Sequence, residues 1–168
     1  MSVKKLTCNK NGTELEFLVK TILEGKEYQF IEKNKFILAT NGLEQKLYTQ
    51  QLVIGESIYS TNEYKHELNA DFVVYDLNNK KDPKSDVSQK YIIIECKSQT
   101  SAGSVDEKYP YLNENIKHKY PYKTIVILDA PAAKKGAKVW LKEQEKTNDK
   151  LQVFQDFSEF RAWAIKNL

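Results

Sequence analysis

Residues 90–97 read Lys-Tyr-Ile-Ile-Ile-Glu-Cys-Lys. Three isoleucines, Ile92 to Ile94, run straight into Glu95, Cys96 and Lys97. Such an unbroken apolar run predicts a strand buried on both faces. Side chains alternate along a strand, so Glu95 and Lys97 share one face and the Cys96 thiol packs on the other. A carboxylate and an ammonium at the end of a buried strand are costly unless they pair or bind a metal.

Asp71 is the natural partner. Residues 71–76, Asp-Phe-Val-Val-Tyr-Asp, predict a second strand, and the polar stretch 77–89, with Asn78, Asn79 and Pro83, predicts a loop between the two. An antiparallel register centred on Pro83 sets Tyr75 opposite Tyr91 and Asp71 opposite Glu95. Opposed carboxylates repel, and a bound divalent cation reverses that sign. Mg²⁺ commonly takes one or two carboxylates together with phosphate oxygens. Asp71 and Glu95 are therefore candidate metal ligands, with the main-chain carbonyl of Cys96 as a further oxygen. Phosphodiester hydrolysis needs a metal to lower the pKa of the attacking water and to offset charge on the phosphate. Lys97 would position that water or hold the phosphate, acting as a charge or, if desolvation lowers its pKa, as a base.

An acidic residue two before a lysine carries little weight alone. The chain has five others: Glu24–Lys26, Glu44–Lys46, Glu63–Lys65, Asp82–Lys84 and Asp106–Lys108. Only Glu95–Lys97 closes a strongly apolar strand and has an aspartate placed to face it. A plain salt bridge at a strand end accounts for the same residues.

Around this pair the chain reads as alternating short elements. Thr13 and Glu16 form a capping box, followed by Leu15, Leu18, Val19, Ile22 and Leu23 on one helical face, and Gly25 ends the helix. Residues 28–40 and 47–60 predict strands joined by a turn at Asn41-Gly42. Helices are expected over much of 105–118, over 132–146 and over 157–167, with strands at 123–128 and 151–155. That order describes an α/β fold, a mixed central sheet flanked by helices.

Length and composition set the outer bounds. At 168 residues the chain is expected to form a single domain, 1–168, large enough for its own core. Hydrophobic residues at 40% and charged residues at 29% fit an ordinary soluble globular protein. No apolar run approaches the roughly 20 residues needed to span a bilayer. Met1 to Asn11 lacks a signal-peptide core, so the cytoplasm is the expected location. A net charge of +3 permits nucleic-acid binding without arguing for it. Cys8, Cys96, His66 and His118 stand in no zinc-binding spacing.

Asp71, then Glu95-Cys96-Lys97, after a first helix that carries Glu16, resembles the PD-(D/E)xK nuclease superfamily over roughly residues 12 to 145. Residues 99–112, Gln-Thr-Ser-Ala-Gly-Ser-Val-Asp-Glu-Lys-Tyr-Pro-Tyr-Leu, resemble the segment after the catalytic strand in small type II restriction endonucleases and related bacterial nucleases. The stretch Gly55-Glu56-Ser57-Ile58-Tyr59-Ser60-Thr61 is similar to that subgroup too. One departure is Ala70, not proline, before Asp71. The resemblance implies a restriction-endonuclease-like core that cuts double-stranded DNA at a short recognition site with Mg²⁺, Mn²⁺ substituting, and Asp71, Glu95 and Lys97 as catalytic residues. It also gives Glu16 a second reading, as a further carboxylate at the metal.

Gln99 shares the face of Lys97 if the strand continues; it contacts phosphate or orients water, or is an ordinary loop amide. Ser101, Gly103, Ser104 and Lys108 are candidate DNA contacts, since small residues let main-chain amides approach phosphates or base edges. Ser104 and Glu107 also read as a capping box, with Pro110 forcing a short first turn and a restart. Lys117, His118, Lys119, Lys123, Lys134, Lys135 and Lys138, with Tyr120 and Tyr122 interleaved, line a DNA cleft or form a solvated surface. The expected assembly is a monomer or a homodimer, a two-fold dimer matching a palindromic site. A repair, nicking or junction-resolving nuclease of the same core, or a non-catalytic DNA-binding module, remains open on the same residues.

Overall fold

The computed structural model describes residues 13–39, 46–76, 90–99 and 106–168. The elements run α1 (Thr13–Gly25), β1 (Gln29–Phe30), α2 (Lys33–Ala39), β2 (Lys46–Glu56), β3 (Glu67–Asp76), β4 (Tyr91–Cys96), α3 (Tyr109–His118), β5 (Lys123–Ile127), α4 (Lys135–Glu143), β6 (Leu151–Phe154) and α5 (Phe157–Asn167). The six strands form one mixed sheet in chain order, β1-β2-β3-β4-β5-β6. The fold is α/β, as the sequence predicts.

β3 and β4 pair antiparallel, with Tyr75 opposite Tyr91 and Phe72 opposite Ile94. One step further brings Asp71 level with Glu95, the register that a turn centred on Pro83 requires. β5 then joins β4 in parallel, and β6 joins β5 in parallel. Parallel neighbours need crossover connections, which α3 and α4 supply.

The strands alternate faces as period two demands. On one side Val73, Tyr75, Ile93 and Val126 pack with Phe36 of α2, Leu112 and Ile116 of α3 and Leu141 of α4. On the other Phe72, Val74, Ile94, Ile125 and Ile127 pack with Leu15, Val19 and Leu23 of α1 and Phe160 and Ala164 of α5. The predicted stripe of α1 is thus the stripe it buries. Gly25 is its last helical residue, but the left-handed position after it belongs to Glu27, with φ of 68°. There the amide of Tyr28 donates to the Leu23 carbonyl at 3.0 Å, closing the helix end.

Residues 28–40 differ from expectation. They hold a two-residue strand and a helix, not a long strand. β1 pairs parallel to β2, with Gln29 opposite Leu47, so no hairpin can join them. The chain must cross over, and α2 does so while burying Phe36 and leaving Lys33, Asn34 and Lys35 in solvent. The Asn41-Gly42 turn, the 77–89 loop, Cys8 and the Thr13 side chain of the capping box lie outside the described residues. Pro110 sits in the first turn of α3, after a separate 3₁₀ turn at Asp106–Lys108. A first-turn proline loses no helical hydrogen bond, so its place costs nothing.

Ile93 is fully buried at the centre of the sheet. Ile93→Ala is expected to lower stability by about 2–5 kcal/mol in chemical denaturation. A loss below about 1 kcal/mol would contradict this packing.

Candidate active site

β4 delivers Glu95 and Lys97 onto the face covered by α3 and α4, and β3 delivers Asp71 beside them. The Glu95 side chain is only 3% exposed. Its Oε2 accepts from the Lys97 ammonium at 2.6 Å, and its Oε1 accepts from the Tyr120 hydroxyl at 3.0 Å. Lys97 Nζ also stands 3.5 Å from Asp71 Oδ2. That same oxygen accepts the main-chain N–H of Cys96 at 2.8 Å, while Asp71 Oδ1 accepts from Gln51 Nε2 at 3.3 Å. Gln51 lies in the left-handed region of β2, with φ of 52°, between the pairs Gln50–Phe72 and Leu52–Ala70 that flank Asp71 on β3.

Glu95, Lys97 and Tyr120 are each shifted, and burial and their neighbours supply the reason. Burial drives the Glu95 carboxyl above the usual carboxylate range; Lys97 pulls it down and Asp71 pushes it further up. Burial alone would lower Lys97, but the charges of Glu95 and Asp71 outweigh it and hold the ammonium above its ordinary pKa. Lys97 thus sits as a positive charge against both carboxylates. Burial, then the charge of Glu95 and the hydrogen bond to it, raise the Tyr120 hydroxyl.

Glu16 comes from α1. Its carboxyl is raised by burial and by the negative charge of Asp71, with Lys97 opposing. It therefore lies within electrostatic reach of the group. Among the described residues no three or more His, Cys, Asp or Glu side chains gather closely enough to hold a metal unaided. Two carboxylates and one carbonyl do fit Mg²⁺, whose shell is commonly completed by water and substrate phosphate. The carboxylates of Asp71 and Glu95, on neighbouring strands with Lys97 between them, are hard oxygen donors of the kind that could hold such an ion.

An open cleft of about 360 Å³ leads to this group. Glu95, Cys96, Lys97 and Ser98 line it from the end of β4, Asn69 from β3, and Lys108, Tyr109, Tyr111 and Leu112 from the start of α3. Lys108, a candidate DNA contact, thus borders the same space as Glu95 and Lys97. Gln99 is placed otherwise. β4 ends at Cys96, so the alternation does not carry on to Gln99. Gln99 is buried, and its carbonyl accepts from the Ala132 amide at 3.2 Å. Ser101, Gly103 and Ser104 lie outside the described residues.

Tyr120 borders the cleft, but neither Tyr120 nor Tyr122 lies on an exposed surface. Tyr120 is buried against Glu95, and Tyr122 stacks on Tyr91 with ring centroids 4.6 Å apart. The sequence reading missed the roles of Tyr120 and Gln51. Both lie far from Glu95 in the chain, and no spacing signal links them to it.

A family model described as a PD-(D/E)XK nuclease superfamily domain matches residues 7–168. No curated protein and no solved structure matches the chain. Nucleases of that superfamily generally use divalent metal ions and act on nucleic acid. No helix among the described residues is long and apolar enough to cross a membrane.

Tyr120→Phe removes the donor to the buried Oε1 of Glu95. The expected cost is about 1–3 kcal/mol of folding stability at neutral pH. A variant as stable as the parent in urea would mean that this hydroxyl does not support Glu95.

Proposed function

The chain belongs to the PD-(D/E)XK nuclease superfamily, and on that premise we propose that it is a Mg²⁺-dependent endonuclease. Its substrate is double-stranded DNA, cut at a short recognition sequence in the manner of small type II restriction endonucleases. A single domain acts in the cytoplasm as a monomer or a homodimer. The observation that carries this reading is the meeting of Asp71, Glu95 and Lys97 beside an open cleft that Glu95 and Lys97 line. A chance salt bridge at a strand end would not need a third charged side chain, nor an entrance from solvent.

Asp71 and Glu95 are the side chains to hold the metal, with the Cys96 carbonyl and, more remotely, Glu16. When bound, the ion lowers the pKa of the attacking water and offsets charge on the phosphate; Mn²⁺ is expected to substitute. Lys97 presents an ammonium to the reacting phosphate, where a fixed positive charge stabilises the negative charge that develops during displacement. Tyr120 locks one oxygen of Glu95, leaving that carboxylate a single orientation. Gln51 and the Cys96 amide do the same for Asp71. Lys108 at the cleft mouth supplies charge for the DNA backbone, which fixes position but not sequence. Gln99, Ser101, Gly103 and Ser104 remain proposed contacts on the segment between β4 and α3.

The test is incubation of the protein with long duplex DNA, with Mg²⁺ or with EDTA, beside Lys97→Ala. Discrete Mg²⁺-dependent bands are expected, with cleavage about 10²–10³-fold slower in the variant. A Mg²⁺-dependent smear or nicks would keep the site and move the role to repair or nonspecific degradation. Absence of cleavage with every divalent metal tried would overturn the reading.

A further inference from the structure

Beside the catalytic cleft lies a second recess of about 550 Å³, bordered by Tyr59, His66, Glu107, Lys108 and Tyr111. Lys108 and Tyr111 line both spaces, so the recess adjoins the cleft. Its wall is aromatic. Tyr59 stacks on Tyr111, with centroids 4.7 Å apart and planes at 20°. His66 meets Tyr111 edge-on, and its Nδ1 lies 3.4 Å from the tyrosine hydroxyl. Tyr59 is nonetheless 66% exposed, because only one of its faces is covered by Tyr111.

This exposed ring is held in place by buried polar groups. Asn115 of α3 is 1% exposed. Its Oδ1 accepts the Ile58 amide at 2.9 Å, and its Nδ2 donates to the Tyr111 carbonyl at 2.8 Å. One buried side chain therefore ties together the two segments that carry the stacked rings. The Tyr59 amide donates to Ser57 Oγ at 3.1 Å, and the Ser57 amide donates to the His66 carbonyl at 2.8 Å, closing the segment. A rigid mount for a water-exposed ring adds little to folding. It does preorganise a flat apolar face.

We propose that this face of Tyr59 receives a nucleobase displaced from the duplex next to the phosphate being cut. The inference rests on the nuclease reading and deepens it. Aromatic rings take bases of any sequence by stacking. The cost of displacement is least where the base is already mispaired or bulged. Lys108, shared by the two spaces, supplies positive charge for the phosphate that joins the displaced nucleotide to the strand in the cleft.

The test measures binding by fluorescence anisotropy in EDTA, where no strand is cut. The probes are a fully paired duplex and the same duplex with one bulged nucleotide. The wild-type protein is expected to bind the bulged duplex about tenfold more tightly. Tyr59→Ala should abolish that preference, and Tyr59→Phe, which keeps the ring, should retain it. Equal affinity of the wild type for both duplexes, or a preference that survives Tyr59→Ala, would overturn the proposal. If Mg²⁺-dependent cleavage of paired duplex persists in either case, the nuclease reading stands without it. If no DNA binds and none is cut, both fail together.

Discussion

Sealing a carboxylate inside a protein costs several kcal/mol unless charge and hydrogen bonds offset it. Glu95 is such a group, and Lys97 and Tyr120 offset it from opposite sides. Apolar residues of the same volume would serve stability as well or better. The arrangement is therefore a weak device for folding and a good one for fixing a carboxylate. Asp71 is treated alike: a main-chain amide and Gln51 each take one of its oxygens. Lys97 stands between the two acids, a single positive charge against two negative ones. That imbalance is the physical reason for expecting a cation in the cleft.

The sheet explains why these groups meet here. β4 is antiparallel to β3 on one side and parallel to β5 on the other. The antiparallel pairing brings Asp71 level with Glu95. The parallel partner requires the chain to leave the end of β4 and cross over through α3 before returning. The ends of β4 and the start of α3 thus part from one another, and the cleft opens between them, as ligand sites do outside the carboxyl ends of strands where the topology changes. Strand β2 adds its own irregularity, the left-handed Gln51, at the level of Asp71. Unusual backbone conformations tend to persist where the surrounding structure uses them.

The strand pair was legible in the sequence because two independent signals agreed. Ile92 to Ile94 marked a buried strand, and a register assumed to centre on Pro83 set Asp71 against Glu95, in line with the observed Tyr75–Tyr91 pairing. Helix α1 was legible from its apolar spacing and end signals, and α3, α4 and α5 fall within the ranges expected to be helical. Residues 28–40 were not, since Phe30, Ile31 and Phe36 to Leu38 suit a strand by composition. The parallel partner that imposes a crossover is a tertiary fact with no local trace. Tyr120 was hidden for the same reason: its aromatic type among basic residues suggested a surface, whereas its hydroxyl is directed at a carboxylate 25 positions earlier. Gln99 failed as a continuation of β4 because period-two alternation holds only while a strand lasts.

The central claim is that Asp71 and Glu95 together hold a divalent cation. Isothermal titration calorimetry with Mn²⁺, on the wild type and on Asp71→Asn, tests it without DNA or turnover. The account predicts saturable binding by the wild type that Asp71→Asn abolishes while the protein stays folded. Binding of equal affinity by the two proteins, or no binding by the wild type, would contradict it.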